Sequence, residues 1–224
     1  MPATGNKPAV LSVQIGLNGF SYQTDDCTRS PWLGAEFVFD TKVFQQRFDK
    51  LELYFFTPVF TLVPAGWFSP DRARELLSAA TSLKDEDEVV WQELPQAAAV
   101  EIWRTDNSRL GRMIGGMLSP SDAPLQMLPE FHALLTKIYE VDCYNKIAAS
   151  YAEGRLYLVI YQGRNLMLCN SFEAPDFTTA QYYIFLAMKK LQLNAEVSTI
   201  YFHSPISPEE EMSMYNYFKA VKRL

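Results

Sequence analysis

Two short runs of alternating apolar and polar residues open the chain. Leu11, Val13 and Ile15 share one face, and Phe20 and Tyr22 share another after Asn18-Gly19. A period of two is the strand signature, and Asn-Gly supplies positive φ angles for a tight turn, so the stretch predicts a β-hairpin. Residues 156–168 repeat the pattern, with Leu156, Leu158 and Ile160 alternating before a turn at Gly163. The two starts lie 145 residues apart, which predicts two related halves, residues 1–120 and 121–224.

Between the hairpins the periodicity changes several times. Residues 36–39 alternate as a short strand, and Val43, Phe44, Phe48 and Leu51 recur at helical spacing behind Asp40 or Thr41 as caps. Residues 53–63 are rich in Phe, Tyr, Thr and Val but contain Pro58, which cannot donate to a ladder and so divides the run into two strands. Ser69-Pro70-Asp71 is a helix start, followed by an apolar face at Ala73, Leu76, Leu77 and Ala80. The charged run 84–88 reads as a solvated loop. Residues 89–91 and 97–103 form a strand pair across Pro95, and Leu110, Ile114 and Met117 mark a helix weakened by Gly115-Gly116.

Residues 119–124 collect Pro, Ser and Asp, and they mark the boundary between the halves. Phe131, Leu134, Leu135 and Ile138 then predict a helix, and three strands follow with turns at Gly154 and Gly163. Asp176 caps a helix whose inner face holds Ala180, Ile184, Ala187, Met188 and Leu191. Residues 197–203 are a buried strand, and Ser207-Pro208-Glu209-Glu210 is a capping box opening a last helix with Met214, Phe218 and Val221 inward. That helix is expected to run to Leu224, with a further strand of the native chain beyond it. The second half therefore reads strand, strand, strand, helix, strand, helix.

Composition narrows the function. A chain of 224 residues with 48% hydrophobic and 14% aromatic content can fill a core without disulfides or metals. The net charge of −6 argues against gripping a phosphate backbone, so nucleic acid is not an expected partner. Cys27, Cys143 and Cys169 form no CxxC pair and no set at metal-ligand spacing, which suits reduced thiols in the cytoplasm. No apolar leader and no run of 18 apolar residues occurs, so neither a signal peptide nor a membrane span is expected. His132 and His203 read as structural side chains, and no nucleophile elbow, HExxH or P-loop is present. The aromatic clusters 54–56 and 182–185 read as core, and the Met-rich stretch at Met113, Met117 and Met127 as core or a partner surface.

The strand and helix order of the second half is that of one half of the duplicated ribonuclease-H-like fold of actin-like ATPases; the first half fits it with an insertion near 58–105. Residues 11–22, the segment 59–64 with the Ser69-Pro70 helix behind it, and residues 166–172 resemble a bacterial family catalogued as domain of unknown function 3822. The resemblance covers nearly the whole chain. It implies an α/β, duplicated ribonuclease-H-like (actin-like ATPase) fold, two halves each with a mixed sheet and flanking helices, and no established activity. More distantly the chain is similar to pilus-assembly actin-like proteins, in which the first strand ends in Asp-x-Gly and binds Mg²⁺ and phosphate. By that resemblance Gln14, Gly16, Asn18 and Gly19 are degenerate phosphate-loop positions, as are Gln162 and Gly163 in the repeat. The two metal-site acids fall on Gln14 and Val159, with Tyr161 in place of a glycine and Ser204-Pro205 in place of the adenosine loop. The expectation is a non-catalytic module with no cofactor, no metal and protein partners. The alternative is a nucleotide-binding protein or weak ATPase that draws on Asp25, Asp26 or Asp176.

Overall fold

The computed structural model describes residues 10–24, 29–106, 108–118, 125 and 127–224. Cys27, Asp25, Asp26 and the boundary stretch 119–124 lie outside the described residues. Packing divides the chain into two compact units, Met1–Phe56 with Asn107–Leu128, and Thr57–Asp106 with Pro129–Leu224.

The first unit is built on the opening hairpin. Strands β1 (Val10–Ile15) and β2 (Gly19–Thr24) pair antiparallel, with Ile15 opposite Phe20, as the alternation predicts. The two-residue β3 (Leu33–Gly34) flanks β2, and β4 (Lys50–Phe55) runs parallel to β1. With β8 (Met127–Pro129) at the far edge, the sheet order is β3-β2-β1-β4-β8. Leu11, Val13, Ile15, Phe20 and Leu53 bury against Leu110, Ile114 and Leu118, which recur every fourth residue along α2 (Arg109–Leu118).

Three local expectations are corrected in this unit. Residues 36–39 form no strand: residues 35–37 coil as a 3₁₀ turn, closed by the Val38 amide donating to the Ala35 carbonyl at 3.3 Å. The helix expected at 41–50 is a single 3₁₀ turn over Lys42–Gln45. Thr41 spends its hydroxyl on the Phe37 carbonyl instead of capping, and Leu51 belongs to β4. Asn18-Gly19 has no positive φ; Gly19 is needed for space, since a Cβ there would stand 2.4 Å from Trp32 Nε1 and 2.6 Å from the Leu33 carbonyl oxygen.

The second unit holds a sheet of the same order. Strands β9 (Asn145–Ala152), β10 (Arg155–Gln162) and β11 (Asn165–Glu173) are antiparallel neighbours, and β12 (Thr199–Phe202) runs parallel to β9. The last helix stops at Tyr215, and β13 (Ala220–Arg223) pairs parallel to β12, so the strand expected beyond the end lies within the sequence. The order β11-β10-β9-β12-β13 mirrors β3-β2-β1-β4-β8. On one face Leu156, Leu158 and Ile160 bury against Ala180, Ile184 and Met188 of α4 (Phe177–Lys190) and Met214 of α5 (Pro208–Tyr215). Both caps form as predicted: Asp176 accepts from the Thr179 amide, and Ser207 and Glu210 exchange bonds in a capping box.

The insertion is a separate three-stranded sheet of order β5-β7-β6, from β5 (Phe60–Pro64), β6 (Val89–Leu94) and β7 (Ala99–Arg104). Helix α1 (Ala73–Ala80) covers it through Ala73 and Leu77, and Ser69 gives its hydroxyl to Asp71 rather than to a cap. Arg74 binds the carbonyls of Lys84, Asp85 and Asp87, tying down the charged run, in which Asp87 is buried and its carboxylate accepts from the Lys84 amide. Helix α3 (Glu130–Tyr139) joins this insertion to β9 and β10, with Phe131 stacked on Phe60 at 4.0 Å between ring centres.

Candidate functional site

The loop at the end of β1 is the first candidate. The chain crosses from β1 to β2 through residues 16–19, closed by the Gly16 amide donating to the Gly19 carbonyl at 2.8 Å. Gln14, on the position where the resemblance puts a metal-binding acid, is 4% exposed. Its Oε1 accepts from the hydroxyl of Ser21 at 3.1 Å, and the two residues are direct cross-strand partners. A neutral amide so placed ties two strands together and cannot balance a divalent cation.

Sheet order relocates the corresponding loop of the second unit. Because β9 occupies the place of β1, the counterpart of the β1–β2 turn is the β9–β10 turn at Glu153 and Gly154, both with positive φ (50° and 75°). The 145-residue repeat register therefore matched β1 to β10, one strand too far. Gln162 ends β10 and Gly163 opens the β10–β11 turn, at the opposite end of β10, where Gly163 has φ +58° and its amide donates to the Tyr144 carbonyl at 2.7 Å. Val159 and Tyr161 lie within β10, fully buried, and Tyr161 packs edge-on against Tyr139 of α3.

Ser150 of β9 takes the place that Gln14 has in β1, each being one residue before the last core pair of its hairpin. Its hydroxyl donates to Oε1 of Glu130, the first residue of α3. The same oxygen lies 2.7 Å from Nδ1 of His203, just past β12. All three are withdrawn from water, at 0%, 0% and 2% exposure for Ser150, Glu130 and His203. The segment after β12 is held further to β9: the His203 amide donates to the Ala149 carbonyl, and the Ser204 hydroxyl both accepts from and donates to the Tyr151 backbone. Ser204-Pro205 is thus fastened by Ser204 to the end of the central strand β9.

The other histidine repeats the arrangement two residues along α3. His132 Nδ1 is 2.7 Å from Oε2 of Glu101, a fully buried residue on the central strand of the insertion. The second Glu101 oxygen and the Tyr161 hydroxyl are buried with no hydrogen-bond partner among the described residues. Burial pushes the Tyr161 hydroxyl and the Cys169 thiol well above their usual ranges, and the Glu101 charge adds to both. Sequence reasoning singled out the histidines and missed both glutamates. The available signal was a lone charge inside an apolar strand, Val100-Glu101-Ile102-Trp103.

The Glu130–His203 pair does not have the arrangement of a nucleophilic triad, since the Ser150 hydroxyl is directed to the carboxylate rather than to the imidazole. Among the described residues no group of three or more His, Cys, Asp or Glu could hold a metal ion. Asp176 is committed to the α4 cap. No helix among them is long and apolar enough to cross a membrane.

Comparison with known proteins gives a family and a fold. The model of a family described as a protein of unknown function (DUF3822) matches residues 33–221. No curated protein matches. Among solved structures, a Bacteroides thetaiotaomicron VPI-5482 protein with an actin-like ATPase fold and unknown function is similar at 16% identity and a TM-score of 0.65, over 100% of this chain and 94% of that one. A PilM–PilN type IV pilus biogenesis complex contains a chain similar at 10% identity and a TM-score of 0.53, over 96% and 88%. The cytoplasmic domain of EpsL, an inner membrane component of the Vibrio cholerae type II secretion system, superposes at 13% identity and a TM-score of 0.49, over 89% and 83%.

Proposed function

The chain belongs to the DUF3822 family and has an actin-like ATPase fold, and from that premise we propose that it is a non-catalytic bacterial member of the fold, a cytoplasmic protein-interaction or scaffold module. One observation carries the reading: Gln14, at the end of the first strand, is buried and bonded across the sheet to Ser21. Phosphoryl transfer needs a cation to neutralise developing charge, and the position that would anchor it is spent on holding β1 to β2. Ser150, the counterpart in the second unit, is likewise spent on Glu130. Gln14, Gly16, Asn18 and Gly19 are in this reading a vestigial phosphate loop, and the two five-stranded sheets of like order descend from one duplicated module, with the change-over after β8 rather than at residue 120.

Protein partners fit the reading, because the similar chain of the PilM–PilN complex is one of this fold assembled with another protein. The test is thermal melting with and without millimolar Mg-ATP. A nucleotide at a hundred times its dissociation constant adds about 2.7 kcal/mol, or roughly 5–10 °C for a chain of this size. The expected result is no upward shift. A shift of that size would replace this reading with the nucleotide-binding alternative.

A further inference from the structure

Helices α4 and α5 lie side by side and run the same way. Gln181 Nε2 donates to the Ser213 hydroxyl at 2.7 Å, and four residues further along both segments Phe185 packs edge-on against Tyr217, with 4.9 Å between ring centres. Their inner sides are committed to the core through Ala180, Ile184, Met188 and Met214. Helical periodicity then sets Tyr182, half-buried Leu186 and Lys189 on the side of α4 turned from the sheet, and Met212 on that side of α5. Large apolar groups thus stand where a solvated helix face ordinarily carries charge: Tyr182 is 61% exposed, Met212 66% and Tyr217 53%. The aromatic cluster 182–185 is core on one side only.

Charge sorts to the two ends of this face. Glu209, Glu210 and Glu211 fill the first turn of α5 and Asp176 caps α4, so the N-terminal end of the pair is acidic. Asp176 and Glu210 each accept from one backbone amide, and Glu209 is exposed. Lys189 and Lys190 fill the last turn of α4. Exposed Lys219 lies at the same end, its amide bonded to the Ala195 carbonyl, with exposed Glu196 beside it. The C-terminal end is therefore basic.

We propose that the outer face of α4 and α5 is a self-association surface, on which a second copy of the chain packs the same face across a two-fold axis. The charge pattern selects both the occupant and the axis. An axis lying in the contact and crossing the helices at right angles reverses their direction, laying α4 on α4 and α5 on α5. The acidic end of each copy then meets the basic end of the other, in an isologous contact. An axis along the helices would stack acid on acid. Antiparallel packing also sets the helix dipoles head to tail. Tyr182 stands near the midpoint of α4 (Phe177–Lys190), so the two copies of it meet beside the axis, flanked by Leu186, Met212 and Tyr217. Aromatic side chains and methionine are the groups enriched at the desolvated centre of an interface, with charge at its rim.

The experiment is sedimentation or light-scattering mass of the full chain from micromolar to near-millimolar concentration at low salt. A concentration-dependent dimer is expected. Tyr182→Lys sets like charges beside the axis and is expected to weaken the dimer by roughly tenfold or more. Two charge variants test the orientation, one carrying Lys189→Glu with Lys190→Glu, the other Glu209→Lys with Glu211→Lys. Each is expected to associate more weakly than the wild type. Their equimolar mixture is expected to associate more tightly than either alone, since a native basic end then meets a native acidic end. Circular dichroism and melting temperature report whether each variant folds, and Tyr182→Lys, at an exposed position, decides the matter if a charge variant does not. A monomer at every concentration overturns the proposal. So does a dimer that survives folded Tyr182→Lys, a mixture of folded charge variants no tighter than its components, or a raised mass that appears only with another protein bound. None of these outcomes bears on the nucleotide test above.

Discussion

Nδ1 of His203 stands 2.7 Å from Oε1 of Glu130, across 73 residues of sequence, with neither side chain more than 2% exposed. The Ser150 hydroxyl donates to the same oxygen. One carboxylate thus fixes the first turn of α3 to the central strand of the sheet and to the segment leaving β12. Two residues along α3, His132 makes the equivalent bond to Glu101, so one helix is fastened on one side to the sheet and on the other to the insertion.

Removing one member of such a buried pair takes a hydrogen-bond partner from the other inside the core. Glu130→Ala is expected to lose about 3 kcal/mol or more, lowering the melting temperature by roughly 6–12 °C. Glu130→Gln keeps an acceptor and loses less. A double-mutant cycle with His203→Ala isolates the pair, with an expected coupling of about 1 kcal/mol or more. Strictly additive losses would show that the bond contributes nothing.

At Gly19 the constraint is volume. A methyl group would meet Trp32 Nε1 at 2.4 Å and the Leu33 carbonyl at 2.6 Å, and the second of these is backbone that cannot swing aside. Gly19→Ala is expected to cost about 1–3 kcal/mol in urea unfolding and to shift Trp32 emission. Gly66→Ala is the control: nothing lies within 4 Å of a Cβ there, and a change within about 0.5 kcal/mol is expected.

What the sequence disclosed depended on whether the determining contacts were local. The caps at Asp176 and Ser207 were readable because donor and acceptor lie three residues apart. The insertion was readable because Pro58 and Pro95 punctuate its strands. The helical spacing of Val43, Phe44, Phe48 and Leu51 misled because it ran across a 3₁₀ turn and into β4. The repeat was placed one strand out because the identity of the central strand rests on the parallel pairing of β9 with β12, about fifty residues away, while β10, with Leu156, Leu158, Val159 and Ile160, is the more apolar of the two candidates. Glu101 and Glu130 escaped for the same reason, their histidines being 31 and 73 residues distant.

The Asp176 cap carries a pH signature. Backbone and hydroxyl donors of Thr179 hold its carboxyl below the usual value of 3.8. A carboxyl whose folded value is depressed stabilises fully above the unfolded value and loses that contribution as pH falls through the folded one. Asp176→Ala is therefore expected to melt below the wild type at neutral pH, with the gap closing as pH drops below about 4. A gap that stays constant into strong acid would mean the carboxylate charge is not what caps α4.

Cys169 tests whether β11 is held firmly against β10. The residue is partly exposed, yet its thiol turns inward, where burial and the Glu101 charge both raise its ionisation well above the ordinary thiol range. Thiolate is the reactive form, so a maleimide at mildly alkaline pH is expected to leave Cys169 unmodified in the native protein. Modification should proceed only at the rate at which the strand opens, reaching that of a free thiol in urea. Cys143 is a less buried comparison: its thiol is raised by partial burial and donates to the Asn145 carbonyl at 3.3 Å, so it should react slowly but ahead of Cys169. Prompt native labelling of Cys169, identified by peptide mass, would show that β11 peels from the sheet.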